Sequence, residues 1–210
     1  MYHQVLIAGF GGQGVLTCGQ ILALAGVMEG RHVTWMPSYG PEQRGGTAYC
    51  VVTLSDRRIG SPLAEKLSAA LVFNNPSLAK FEPQLSEGSL LILNSSMIKT
   101  DVSRSDLIVY QVPADEIAQE AGMRRAGNIV LLGAYLAASN VVSIDVTLEA
   151  IVNYLGPTRE LLVEVNRKAL AAGWNFVSGM TSISPLWAAQ FALNSPASHH
   201  DRYCSKALPQ

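Results

Sequence analysis

Apolar residues in this chain come in two kinds of run. The first half carries short continuous stretches, each closed by Gly, Pro, Asn or Ser, and between them apolar positions recur every three or four residues. This spacing predicts strands at 2–8, 32–37, 69–73, 90–93 and 107–112 and a β-rich stretch at 47–54. Ser55-Asp56-Arg57 reads as a turn, after which Arg58-Ile59 is expected to return as a short antiparallel strand. Val15, Leu16, Gly19, Leu22, Ala23 and Gly26 share one face of a first helix over 14–29, closed by Gly30. A short helix runs from Ser77 to Leu85. From Pro113 onward the pattern is helical: Ala114–Ala121, then Asn128–Ala138, apolar nearly all round and therefore buried. Ser143 is placed to cap a helix over 144–154, which Gly156-Pro157 stops. The next helix covers 158–172, with a stripe of Leu161, Leu162, Val165, Ala169 and Ala172 and Gly173 as its C-cap. Pro185–Leu193 has the pattern of a short helix, and 194–210 reads as a tail.

Strands alternating with helices, built from apolar runs rather than strict alternation, predict an α/β fold: a Rossmann-like, mainly parallel sheet with helices on both faces. One domain over 1–176 and an extension over 177–210 account for the 210 residues.

Composition narrows the classes of partner. Charged residues are only 15% of the chain against 49% hydrophobic, which favours a subunit with much covered surface. A net charge of −1 gives no footprint for nucleic acid. No apolar run reaches the ~18 residues of a membrane span, and no signal-type segment opens the chain, so a cytoplasmic protein is expected. Cys18, Cys50 and Cys204 contain no close pair, which excludes a self-contained four-cysteine iron–sulfur cluster and a C-x-x-C redox site. The four histidines show no zinc spacing beyond His199-His200, and no metal site is expected.

Two stretches carry candidate chemistry. Gly9, Gly11 and Gly14 fit G-x-G-x-x-G between the first strand and the first helix, with Gly12 and Gln13 inside the turn. Glycines let the backbone approach a ligand, and the helix start then offers free N–H groups and partial positive charge to a phosphate or carboxylate. A dinucleotide site also wants an acid about 20 residues on, at the end of the second strand. That strand runs into Pro37-Ser38-Tyr39; Glu29 precedes it and Glu42 lies well past it. NAD and FAD are marked down accordingly, and helix-to-sheet packing stays open as the alternative role of the glycines. The second stretch is the 37–47 loop, with Tyr39, Glu42, Arg44, Gly45, Gly46 and Thr47 beside Gly40 and Pro41. Arg44 offers a planar fork for an anion, and Gly45-Gly46 a nest of N–H groups. Following the second strand, this loop is expected at the same carboxyl edge as the glycine turn. Alternatively Glu42 and Arg44 pair with each other and brace a surface loop.

Gly9-Phe-Gly-Gly-Gln-Gly-Val15 together with Pro37-Ser-Tyr-Gly-Pro-Glu-Gln-Arg-Gly-Gly-Thr-Ala48 resembles the gamma subunit of 2-oxoacid:ferredoxin oxidoreductases. So do Ile59-Gly-Ser-Pro62, Asn75-Pro-Ser-Leu78 with Lys80-Phe81, Val112-Pro-Ala-Asp-Glu-Ile-Ala118, and Asn128 with Leu132-Gly133-Ala134. The resemblance covers about 3–176, and its Pro-Ser-Tyr-Gly-Pro-Glu form is closest to the 2-oxoglutarate and branched-chain 2-oxoacid members; pyruvate enzymes are the wider family. It implies a complex that decarboxylates a 2-oxoacid on thiamine diphosphate with Mg, passes electrons through iron–sulfur clusters to ferredoxin, and releases an acyl-CoA. This chain has no thiamine diphosphate motif and no cluster cysteines, so the resemblance implies no catalytic residue and no cofactor bound by this chain alone. Alpha, beta and ferredoxin-like delta subunits would supply them. The glycine turn (Gly9, Gly11, Gly12, Gln13, Gly14) and the loop (Tyr39, Glu42, Arg44, Gly45, Gly46, Thr47) are the candidate CoA or interface residues. In isolation the chain is expected to form a homodimer. The competing readings are a free-standing Rossmann-type nucleotide-binding oxidoreductase and a purely structural scaffold.

Overall fold

The structure, a computed structural model, describes residues 1–39, 47–61, 67–156 and 158–181. Six strands form one sheet: β1 (Tyr2–Phe10), β2 (His32–Tyr39), β3 (Thr47–Ser55), β4 (Leu67–Val72), β5 (Leu85–Asn94) and β6 (Ile108–Val112). Their order is β2-β3-β1-β4-β5-β6. β1, β4, β5 and β6 pair in parallel, whereas β3 runs antiparallel to both β1 and β2. The sheet is therefore mixed, with five strands pointing one way and β3 reversed among them. The cause is chain length: a return from Tyr39 to Thr47 closes a hairpin, whereas a parallel partner needs a crossover of a dozen or more residues.

The helices are α1 (Val15–Met28), α2 (Asn75–Phe81), α3 (Ala114–Glu120), α4 (Gly127–Ser139), α5 (Ile144–Leu155) and α6 (Glu160–Thr181). Both faces of the sheet carry helix, but unequally. On one face Val5, Ile7, Val52, Leu71 and Ile92 form a continuous core with residues of α1, α3, α4, α5 and α6. On the other, Leu6, Ala8, Ala70, Val72, Leu91 and Leu93 meet only Leu78 and Phe81 of α2 among the helices described. α4 is enclosed between the sheet and α6, which accounts for its lack of a polar face.

Several expectations are corrected. β1 and β2 each run two residues further than expected, so Pro37-Ser38-Tyr39 is strand rather than loop. Arg58-Ile59 is not a strand. β5 begins at Leu85 and passes through Gly88, which adopts φ 72° beside a shift in the β4–β5 register. The helix expected over Ser77–Leu85 starts at Asn75, with the Asn74 side chain capping Ser77 N–H at 2.9 Å, and ends in a 3-10 turn at 82–84. Ser143 does cap α5, accepting from Asp145 N–H at 3.2 Å. Gly30 (φ 76°) closes α1 with paired bonds, Gly30 N–H to Val27 C=O at 2.9 Å and Arg31 N–H to Gly26 C=O at 3.0 Å. Gly173, however, does not end a helix. α6 runs on to Thr181, and Gly173 lies where a side chain would collide with the Val130 carbonyl. Gly133 on α4 faces the Leu170 carbonyl in the same way. The two glycines let α4 and α6 meet backbone to backbone. Pro185–Leu193 and 194–210 lie outside the described residues.

Gly133→Ala forces a methyl group into the Leu170 carbonyl oxygen, which no rotamer relieves. We expect a loss of roughly 3 kcal/mol, the upper end of overpacking costs. Differential scanning calorimetry should show a drop in Tm of about 6–12 °C for a domain of this size. An unchanged Tm would show that α6 does not pack on α4 in this way.

Candidate functional site

In α/β sheets ligands bind beyond the carboxyl ends of the strands, and here that edge is built from polar side chains on glycine and asparagine turns. β1 ends at Phe10, and Gly11–Gly14 turn the chain into α1. Gly14, in the left-handed region at φ 75°, is the residue before the helix, and no side chain caps α1. Its first turn contains no acid, and Cys18 is the first residue to donate within the helix, to Gly14 C=O at 2.9 Å. The N–H groups of Val15, Leu16 and Thr17 thus have no acceptor inside the helix.

Three carboxamides fix this turn. Gln13 Oε1 accepts from Phe10 N–H at 2.7 Å and from Asn74 Nδ2 at 3.1 Å. Asn128, on the first turn of α4, donates from Nδ2 to Gly14 C=O at 3.1 Å. A Cβ at Gly14 would stand 2.5 Å from that same Nδ2, so both the φ and the space require glycine. Gly9 is a packing position: a Cβ there would meet Gln13 Oε1 at 2.7 Å, Phe73 Cβ at 2.8 Å and Val15 Cγ2 at 2.9 Å. Gly12, with φ 97°, meets nothing within 4 Å and is exposed. The motif glycines therefore divide between packing (Gly9, Gly14) and an open turn (Gly12), while Gly19 and Gly26 seat α1 against Cys50 on β3 and Val33 and Leu54 on β2 and β3.

The strand register brings the second candidate stretch to the same place. Gly9 pairs with Ala48 and Phe10 with Thr47, and Ala48 pairs on its other side with Tyr39. Thr47, which follows the 40–46 segment, thus lies beside the last residue of β1, whereas Tyr39, which precedes it, lies one strand further out across β3. Thr47 is exposed at the start of β3. Glu42, Arg44, Gly45 and Gly46, like Gly40 and Pro41, lie outside the described residues. Glu29, the nearest acid before β2, is at the opposite edge: it accepts from Arg31 Nε at 3.2 Å and Ser143 N–H at 2.6 Å. β3 also separates β2 from β1, so the end of β2 stands two strand spacings, roughly 10 Å, from the glycine turn. This is not the geometry that holds a dinucleotide ribose.

Reasoning from the sequence did not single out Asn74 as a site residue. Its signal was an Asn two residues before Pro76 at the end of an apolar strand, the pattern of a helix cap. No group of three or more His, Cys, Asp or Glu among the described residues is placed to hold a metal ion, and no described helix is long and apolar enough to cross a membrane.

Cys18 and Cys50 lie buried beneath the turn. Burial pushes the Cys18 thiol well up, and neighbouring Cys50 adds to the shift. Burial raises Cys50 to about 12; the Trp35 indole N–H, which has no ordinary acceptor, offsets a part. Thiols held protonated are poor nucleophiles. Because the folded values exceed the ordinary 9.0, their contribution is intact below pH 9 and stability declines as pH rises from 9 towards 12. Iodoacetamide at pH 8 should leave both unmodified in the folded chain and label both in denaturant, as read by peptide mass mapping. Rapid labelling of either in the native chain would contradict their burial.

Comparison with known proteins agrees with this architecture. Residues 4–176 match the pyruvate ferredoxin/flavodoxin oxidoreductase family. The ketoisovalerate oxidoreductase subunit VorA of Methanothermobacter marburgensis is 39% identical over 171 residues, 81% of this chain. The chain spans only 35% of VorA's length. The 2-oxoglutarate synthase subunit KorC of the same organism is 33% identical over 180 residues, 82% of this chain and 95% of KorC. The crystal structure of the keto/oxoacid ferredoxin oxidoreductase gamma subunit from Geobacter sulfurreducens PCA superposes with a TM-score of 0.72 at 30% identity, covering 83% of this chain and 98% of that one. In sequence and in fold, the chain belongs to the pyruvate ferredoxin/flavodoxin oxidoreductase family.

Proposed function

We propose that this chain works in a multi-subunit 2-oxoacid:ferredoxin oxidoreductase, where the glycine turn and the 39–47 stretch form the CoA side of the active site. In that reaction the bond between carboxylate and carbonyl carbons of the 2-oxoacid breaks and CO2 leaves. Two electrons pass to ferredoxin, and the acyl group leaves on the CoA sulfur as the thiol proton is released. Thiamine diphosphate with Mg and the iron–sulfur clusters belong to alpha, beta and ferredoxin-like delta subunits. This chain's part is to bind and orient. The observation that carries the reading is the uncapped start of α1 at the carboxyl edge of the sheet, with Thr47, which follows the segment bearing Arg44, paired to Phe10 beside it. Helix N-terminal N–H groups and a guanidinium suit the phosphates of CoA. Tyr39 would cover the pantetheine arm, and Gln13 and Thr47 would add hydrogen bonds.

Likeness to KorC over nearly its whole length supports 2-oxoglutarate as the substrate; the higher identity to VorA supports a branched-chain 2-oxoacid as the second reading. Exposed Val27, Met28, Val152 and Tyr154 support a surface covered in a complex. They sit on α1 and α5, which Tyr154 Oη joins by donating to Gln20 Oε1 at 2.9 Å. Self-association of the isolated chain as a symmetric dimer, in the cytoplasm or in the test tube, belongs to the same reading. Among the described residues no acid stands at the end of β2, which speaks against a free-standing nucleotide-binding enzyme.

Arg44→Ala should weaken CoA binding by the assembled complex by roughly 1.5–3 kcal/mol, the range for a hydrogen bond to a charged group. Steady-state kinetics with CoA and 2-oxoacid varied in turn should place this loss on CoA. An unchanged CoA affinity with the complex intact would take the loop out of the site and leave it an interface element.

A further inference from the structure

β2 forms one edge of the sheet, and it lacks most of the devices that keep an edge from pairing with another chain. Those devices are short length, a charged side chain, a bulge, a proline or a covering element. β2 has eight residues, keeps unbroken register with β3 from His32 to Tyr39, and contains no Lys, Arg, Asp or Glu. Pro37, near its end, is the only such device. Among the described elements only β3 and α1 make extensive contact with it. Met36, in its middle, is 40% exposed.

α1 turns a matching side in the same direction. Gly19 and Gly26 seat it over Trp35 and Val33 of β2, and Cys18 on another side meets the Asn128 carbonyl of α4 at 3.6 Å. Leu16, Gln20, Ala23 and Val27 recur at three- and four-residue spacing on the side away from Cys18, above the β2 edge. Val27 is 57% exposed, and no residue of α1 is charged. A helix without a polar face is expected to be enclosed all round. The sheet, α4 and α5 enclose α1 on three sides and leave this one.

We propose that the β2 edge and the Leu16–Val27 stripe form the docking surface for a second copy of this chain, with β2 antiparallel to the partner's β2, so that two six-stranded sheets become one. This names the interface of the self-association proposed above and rests on that reading. Three features favour a second copy. Two β2 edges related by a two-fold axis close on themselves, whereas β2 on the β6 edge of a neighbour would continue into an open filament. A two-fold perpendicular to the sheet keeps Val33 and Trp35 of both copies on the helix-covered face and Thr34 and Met36 on the other, and it sets no like charges opposite each other. The surface is roughly 27 Å long and about 20 Å high, from the strand to the outside of α1, of the order of the ~800 Å² that each partner of a stable dimer buries.

Sedimentation equilibrium of the full chain should give a dimer. Met36→Lys and Val27→Lys, at exposed positions, each bring like charges to the seam and should raise the dimer dissociation constant at least about tenfold. Circular dichroism and Tm of the dilute monomer should be unchanged. Met97→Lys, equally exposed in the turn after β5, should shift the constant less than twofold. Met36→Cys in a Cys204→Ser background should be joined to its partner by a short bismaleimide, since both copies of residue 36 lie on one face near the two-fold. Cys18 and Cys50 are buried and should stay unlabelled. A dimer that Met36→Lys or Val27→Lys leaves unchanged, or that Met97→Lys weakens as much, would overturn this surface and leave self-association standing. A dimer weakened by both but not cross-linked through residue 36 would overturn the strand pairing. A monomer at every concentration would overturn both readings.

Discussion

Across 114 residues of chain, the Asn128 carboxamide donates to the Gly14 carbonyl and holds the start of α1 against the start of α4. That bond needs a glycine at 14, because a methyl group there would displace the amide. It also needs α4 at a fixed height, which is set on the far side of α4. Gly133 and Gly173 bring α4 and α6 into backbone contact, so α4 is clamped between α6 and the sheet. The glycine turn is thus tied to α4 through Asn128, and α4 in turn to α6 one layer further out.

Much of this was legible in the residues. The order of elements, the buried character of α4, the Ser143 cap and the α1 stop at Gly30 all follow from local pattern, because each depends on neighbours within a turn or two. The direction of β3 did not follow. Apolar spacing carries no sign of strand polarity, and only the shortness of the 40–46 return indicates a hairpin. Gly173 was misread for a related reason. A glycine after an apolar stripe suits a helix end and a close helix crossing equally, and the deciding atom, the Val130 carbonyl, is 43 positions away. At the site, the glycines of 9–14 were visible, yet their division into packing and open positions was not. Asn74 was hidden because its bond to Gln13 reaches back 61 positions, to the turn after β1.

The same geometry separates this fold from the nucleotide-binding sheets it resembles at its first turn. With β3 between β1 and β2, the ribose position is filled by a reversed strand, and Glu29 is committed to Arg31 and Ser143 at the other edge. What stays available is the uncapped helix start, with Thr47 paired to Phe10 beside it. A phosphate-bearing substrate suits that set of groups, whereas a neutral or apolar one leaves its donors without acceptors.

Amide hydrogen exchange on the assembled complex, with and without CoA, tests this account most directly. The N–H groups of Val15, Leu16 and Thr17 have no acceptor within the helix and should exchange quickly in the CoA-free complex. Added CoA should slow exchange in the peptide spanning residues 9–20, with slowing also in 39–47. Unaltered exchange in residues 9–20 at saturating CoA would contradict the placement of CoA at the start of α1.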